Sequence, residues 1–350
     1  MPHRSILVLH VTLAVVTFPA PLLLSGCANG HDRPEGHSDV TFRISPRGDE
    51  LVFNARGEGG RDLYRLDLTS LKVTRIAATP SYEVDPEYAP DGMSVVYAAG
   101  KPGDRADHLF LRSLDGKSLK QLTNLDANDA SPAFSPDGSL IVFTRDKTYN
   151  WGGQASNWDA GGVLCLMRLD GTGLRQITED GSMAIDPHFS PDGKTILFWG
   201  EDGLFTVAVA VDGSGPPRPL GGLSGREATY SPDGRTIAFL QGQYSPDQRI
   251  FTARADGSGP RRLAHQDGEQ LASPGGGRFR PTFTPDGKQI LFFLESWPDG
   301  PTGFPKESLW AVDSEGGNAR EIAGYSLFDN PLNWRPGPGD LDQGAGALSR

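Results

Sequence analysis

The residues most capable of chemistry in this 350-residue chain are a few histidines, a set of carboxylates beside prolines, one serine between glycines and a group of tryptophans. Metal-assisted chemistry needs histidines or carboxylates that converge. His108, His188 and His265 fall at unlike places in three different segments, which predicts surface or inter-segment histidines rather than a shared metal. Glu83 and Asp85 in "YEVDP", Asp126 and Asp129 in "LDANDAS" and Asp186 in "AIDP" could bind a cation if they met at one mouth. None follows a dedicated calcium loop, and Asp before Pro is expected to shape a turn and bond local N–H groups. "GLSGR" at Gly222 lacks the spacing of a nucleophile elbow. The sequence therefore assigns no catalytic, cofactor-binding or metal-ligating residue. Converging carboxylates or histidines would mark an enzyme, and an empty or apolar mouth a binding module.

The aromatic residues point to recognition. Residues 144–162, "TRDKTYNWGGQASNWDAGG", carry Tyr149, Trp151 and Trp158, and residues 295–308, "ESWPDGPTGFPKES", carry Trp297 and Phe304. Exposed Trp and Tyr are typical anchors for a protein or glycan; the same rings could also tuck back and cap their own segments. Trp310 sits in a strand pattern and is expected in the core, as is Cys165 in "GVLCLMRLD".

A repeat positions all of these. SPRGDELVF begins at Ser45, APDGMSVVY at Ala89, SPDGSLIVF at Ser135, SPDGKTILF at Ser190, SPDGRTIAF at Ser231 and TPDGKQILF at Thr284. Pro presets the second turn position, Asp suits the third and Gly takes a positive φ at the fourth. An aromatic precedes five copies (Tyr88, Phe134, Phe189, Tyr230, Phe283), with Ile44 in the first, and a β-rich run follows each. Third strands such as "HLFLRSL" lead into Asp-Gly hairpin signals, and short fourth strands such as "LKQLT" and "LRQIT" close each unit. Four antiparallel strands at a period of 40 to 55 residues predict an all-β chain, a β-propeller of six blades with seven as the alternative. "NPLNWRPG" from Asn330 either opens a seventh blade or helps close the ring. In a six-bladed ring the two aromatic segments lie half a turn apart, flanking one channel mouth.

The pattern Asp-Pro-x-aromatic-SPDG, as in "IDPHFSPDGKTILF", resembles the TolB-like propeller repeat over about residues 39–335. The resemblance implies an extracytoplasmic fold and a binding character, since the family's namesake is a soluble periplasmic protein that binds an envelope lipoprotein. That namesake carries an N-terminal α/β domain, which is not expected between Cys27 and residue 39. Related propellers also belong to a lyase that holds a metal with several histidines and to serine hydrolases with an added α/β domain, so a polysaccharide lyase or hydrolase is the alternative function.

The N-terminus adds a location. Ser5 to Leu24 are largely apolar, and Leu24-Ser25-Gly26-Cys27 resembles the bacterial lipobox. The resemblance implies lipid attachment at Cys27, with residues 1–26 a signal peptide, 27–38 a polar tether and 336–350 a disordered tail. Ala28 after the cysteine implies the outer membrane in a two-membrane cell, facing the periplasm, and otherwise the outer face of the cell membrane. No other stretch nears the ~20 apolar residues of a membrane span. The net charge of −11 disfavours nucleic acid. The expected partners are the membrane, through lipid, and an envelope protein or glycan.

Overall fold

The computed structural model describes residues 40–57, 60–77, 82–100, 106–146, 162–209, 215–242, 249–263, 280–296, 306–324, 327–328 and 331. They form six four-stranded antiparallel sheets, each built from four consecutive strands. We number these blades 1 to 6, over residues 42–77, 83–121, 128–176, 185–219, 226–262 and 282–323. The prediction of an all-β propeller holds, with six blades rather than seven.

The repeated turn explains its own composition. In blade 4 the Ser190 hydroxyl donates to Asp192 Oδ1 (2.6 Å) and accepts the Thr195 N–H (3.0 Å), and Asp192 accepts the Lys194 N–H (3.1 Å). Ser135, Ser231 and Thr284 do the same for their own aspartates. Blade 1 has Arg47 where the others have Asp, and Ser45 bonds Asp49 instead, at 2.8 Å. The turn glycines have φ between 68° and 78°, where a side chain is strained. Beyond each lies the proline of a neighbouring turn: Pro46 beside Gly92, Pro90 beside Gly138, Pro136 beside Gly193, and so on to Pro285 beside Gly48. That last contact joins blade 6 to blade 1, so the six turns make a closed ring.

Hydrogen bonds hold Asp137 low, to about 2 from an ordinary 3.8, chiefly through the Ser135 hydroxyl and then the Ser139 N–H. A depressed carboxyl contributes stability that is complete above its unfolded pKa and lost as pH falls through the folded one. The turn contribution should therefore be intact above pH 3.8 and vanish toward pH 2. An acid titration of Asp137→Asn should show a smaller loss over that window than the wild type; equal losses would contradict the assignment.

The Thr after the fourth strands of blades 2 and 3 has a structural reason. Thr123 Oγ1 accepts the Leu109 N–H and Thr178 Oγ1 the Leu164 N–H, each at 2.9 Å, tying the outermost strand's end to the third strand. In blade 4 the second and third strands meet at a two-residue hairpin, Glu201-Asp202, closed by the Gly200–Gly203 pair. Gly203 has φ +140°, and a Cβ there would lie 2.2 Å from the Leu223 carbonyl oxygen. Gly203→Ala should cost about 2–3 kcal/mol from backbone strain and overlap, read by urea denaturation.

Among the described residues, no strand is shared between the first and last blades, so side chains seal the ring. Phe42, Phe53 and Tyr64 of blade 1 are buried with Leu291, Phe293 and Leu309 of blade 6. Leu327 and Phe328, just past blade 6, enter the same cluster. Phe293 meets Phe42 and Phe328 edge-on, both at 4.8 Å, and Phe328 meets Phe53 at 5.3 Å. The segment from Asn330, expected either to open a seventh blade or to help close the ring, lies outside the described residues apart from residue 331.

Candidate functional site

The bore of the ring is lined by the innermost strands, which all run from the blade-to-blade connections toward the SPDG turns. In Asp-Pro-x-aromatic, the Pro and the aromatic are buried between blades while Asp and x alternate to the bore. The strand 2–3 links share the connection end, as the pairing of Asn128 with Asp146 shows in blade 3. The bore therefore opens on one face among the connections and on the other among the turns.

Nearest the connections stand Thr41, Asp85, Ser131, Asp186, Glu227 and Arg280, one from each blade. The last five all have left-handed backbone, φ 43° to 51°. This is unusual for side-chain-bearing residues, and four lie in or beside strands whose pairing slips at this point. The bulge leaves backbone N–H groups without ladder partners, and side chains from neighbouring blades take them. Thr41 Oγ1 accepts the Asp85 N–H (3.0 Å), Asp85 Oδ2 the Ser131 N–H (3.2 Å) and Glu227 Oε2 the Arg280 N–H (3.0 Å). The Ser131 hydroxyl donates to Asp186 Oδ1 at 2.8 Å. Arg280 Nη1 lies 3.6 Å from Asp85 Oδ1, reaching past blade 1 from blade 6 to blade 2. The expectation that Asp85 and Asp186 bond only local N–H groups is thus corrected. They link blades: Asp85 takes the Ser131 N–H that the bulge frees, and Asp186 takes the Ser131 hydroxyl.

One step deeper are Arg43, Glu87, Ala133, His188, Thr229 and Thr282. Arg43 Nε pairs with Glu87 Oε2 at 2.6 Å, and its Nη2 donates to His188 Nε2 at 3.2 Å. Blades 1 and 4 are opposite, so this guanidinium spans the bore. His188 is a bore residue and not the surface or inter-blade histidine expected, because its side alternates away from buried Phe189. Burial, then Arg43, then Arg280 hold its imidazole well below the ordinary 6.5. Burial raises Glu87 above 4.5, against the pull of Arg43.

The other predicted residues separate. His108 is buried in blade 2. Asp129 is fully buried in an ion pair with Arg145, at 2.7 and 2.8 Å, away from the bore. Glu83 is buried and Asp126 exposed. Cys165 is buried as expected; Trp310 is half-buried, its indole N–H donating to Ser308 Oγ (2.8 Å). Cys27, Tyr149, Trp151, Trp158, Trp297, Phe304 and His265 lie outside the described residues. Among the described residues, no group of three or more His, Cys, Asp or Glu could hold a metal. Arg43, Glu87, Glu227 and Arg280 were missed in the sequence, although position x of the Asp-Pro-x-aromatic motif marks Glu87 and His188.

A closed ring of six four-stranded blades around a polar bore defines a β-propeller, and its type is TolB-like. No family model matches the chain. Over 198 residues it is 25% identical to the Tol-Pal system protein TolB of Francisella tularensis, covering 54% of this chain and 42% of that one. Over 139 residues it is 27% identical to the uncharacterized peptidase YuxL of Bacillus subtilis, covering 33% and 21%. The chain thus spans less than half the length of these relatives. In fold it resembles TolB of Acinetobacter baumannii (TM-score 0.58, 16% identity, 78% of this chain and 63% of that). It also resembles oligogalacturonate lyase of Vibrio parahaemolyticus (TM-score 0.55, 16% identity, 85% and 79%).

Proposed function

We propose that this propeller is a lipid-anchored, extracytoplasmic binding platform of the bacterial envelope, with a protein or glycan partner seated on the connection face over the bore mouth. The observation that carries this reading is the mouth ring itself. Polar side chains from all six blades stand there, five of them on left-handed backbone, and bond one another, so few rotamers remain to be ordered on binding. The likeness to TolB supports an envelope protein as the partner. The lipobox-like Leu24-Ser25-Gly26-Cys27 supports an anchor, with residues 1–26 removed and 27–38 as the tether. Two or more acyl chains would hold it stably, as one would not. The loops carrying Tyr149, Trp151, Trp158, Trp297 and Phe304 leave their blades at the same face and are proposed to flank the partner.

Labelled palmitate should enter the wild-type chain and not Cys27→Ser; no label in either would end the anchor proposal. A soluble mature chain with Cys27→Ser should retain an envelope partner that a second bait, with residues 147–160 replaced by a Gly-Ser link, does not. Equal retention would remove the loop from the site.

A carbohydrate-active enzyme is the second reading, favoured by the convergence of His188, Glu87, Asp85, Asp186 and Glu227 in one bore. Against it, His188 Nε2 and Glu87 are both engaged by Arg43, and Asp85 by Arg280 and Ser131. A general base must reach the substrate's proton. Turnover of an envelope or uronate glycan, lost in His188→Ala, would establish the enzyme instead.

A further inference from the structure

Arg43 leaves the innermost strand of blade 1 and uses all three of its nitrogens inside the bore. Nε meets Glu87 Oε2 of blade 2 at 2.6 Å, and Nη2 donates to His188 Nε2 of blade 4 at 3.2 Å. Nη1 turns back to the Phe42 carbonyl at 2.8 Å. A guanidinium can only donate. His188 Nε2 must therefore present its lone pair, which places the imidazole proton on Nδ1. The side chains of Arg43 and Glu87 keep 19% and 21% of their surface open, so water reaches this level of the bore.

Both holds on Arg43 fail on gaining a proton. A proton on His188 Nε2 turns the acceptor into a donor and puts a cation beside Arg43 and Arg280. A proton on Glu87 removes the anion of the pair. The remaining bore-facing groups decide where a freed guanidinium can go. At the deeper level these are Ala133, Thr229 and Thr282; nearer the mouth are Thr41, Asp85, Ser131, Asp186, Glu227 and Arg280. Asp85 already has Arg280. Asp186, which accepts the Ser131 hydroxyl, is a carboxylate toward which a released Arg43 can turn.

We propose that Arg43 is a proton-released latch, held across the bore by neutral His188 and ionised Glu87 near neutral pH and freed toward the mouth on acidification. This inference deepens the reading of the mouth as a binding site and rests on it for biological meaning: acidification would uncover His188 and move a cation toward the face that meets the partner. The environment favours the order of events. Glu87 takes its proton above the ordinary carboxylate range, and His188 stays neutral well below the ordinary imidazole range.

The test is nuclear magnetic resonance of the histidine ring Cε1–H signals in the mature chain with Cys27→Ser, with His188 assigned by loss of its peak in His188→Gln. A neutral nitroxide added to solution broadens protons it can approach. Broadening of the His188 signal should rise severalfold between about pH 7.5 and about pH 4.5, with near-ultraviolet circular dichroism unchanged. Glu87→Gln should show the high broadening already at neutral pH, which keeps the test decisive if the wild type loses its fold in acid. Arg43→Met should raise the His188 titration midpoint by about one unit, a tenfold gain in proton affinity, because an adjacent cation is gone. Equal broadening at both pH values with Glu87→Gln like wild type, or an unmoved midpoint in Arg43→Met, would overturn the latch. No partner enters this measurement. A static latch with successful partner capture would end this inference alone, and a working latch without capture would end the platform reading alone.

Discussion

Replacing Phe293 with alanine should destabilise the whole propeller by about 3–5 kcal/mol, the cost of emptying a large buried aromatic site. Phe293 is 1% exposed. It stands between Phe42 of blade 1 and Phe328, both at 4.8 Å. Among the described residues no hydrogen-bonded strand crosses this seam, because every sheet is made of four consecutive strands. The seam is therefore held by dispersion and apolar burial, with the Gly48–Pro285 turn contact alongside. Phe143→Ala in blade 3, also fully buried, is the matched control away from the seam. Both variants should lose similar equilibrium stability. Only Phe293→Ala should speed hydrogen exchange selectively in blades 1 and 6, since opening there unzips the ring at its one break in chain continuity. Equal exchange profiles in the two variants would contradict the seam's special role.

Arg145→Ala should cost as much, about 3–5 kcal/mol, for an electrostatic reason. Asp129 and Arg145 are paired residues of the first two strands of blade 3, with side chains 0% and 5% exposed. Two parallel bonds of 2.7 and 2.8 Å satisfy them. Removing the guanidinium leaves a carboxylate buried without its charge partner, which is far worse than losing a surface pair. The double substitution Arg145→Met with Asp129→Leu should recover most of the loss, because neither charge then needs solvation. Urea denaturation of the three proteins is the check. A double variant as unstable as the single one would show that the pair does more than neutralise itself.

Much of the architecture was legible because the repeat states its own physics. Pro, Asp and Gly at fixed offsets name the turn, and the aromatic before it is buried in four blades, as Tyr88, Phe134, Phe189 and Phe283 show, and half-buried as Tyr230 in blade 5. The Thr of "QLT" and "QIT" was visible as a motif, but its bond to the third strand was not. The bore chemistry was harder to read. Arg43 and His188 are 145 positions apart, and only ring closure sets them opposite each other. Arg280 and Glu227 do not sit in an Asp-Pro motif, so nothing local marked them as equivalents of Asp85 and Asp186. Asp129 looked like one more acid in a polar connection. Its burial depends on Arg145 arriving from the next strand, a fact of register that composition does not carry.

The most direct test of the proposed platform asks which face meets the partner. Glu179, in the exposed connection between blades 3 and 4, and Asp256, in an exposed turn between the third and fourth strands of blade 5, mark the two faces of the ring. Glu179→Cys and Asp256→Cys, each carrying a benzophenone on the introduced thiol, should be irradiated in the native envelope. A discrete crosslinked product from Glu179→Cys and none from Asp256→Cys is the predicted result. Crosslinking from Asp256→Cys alone would contradict the connection face as the binding surface.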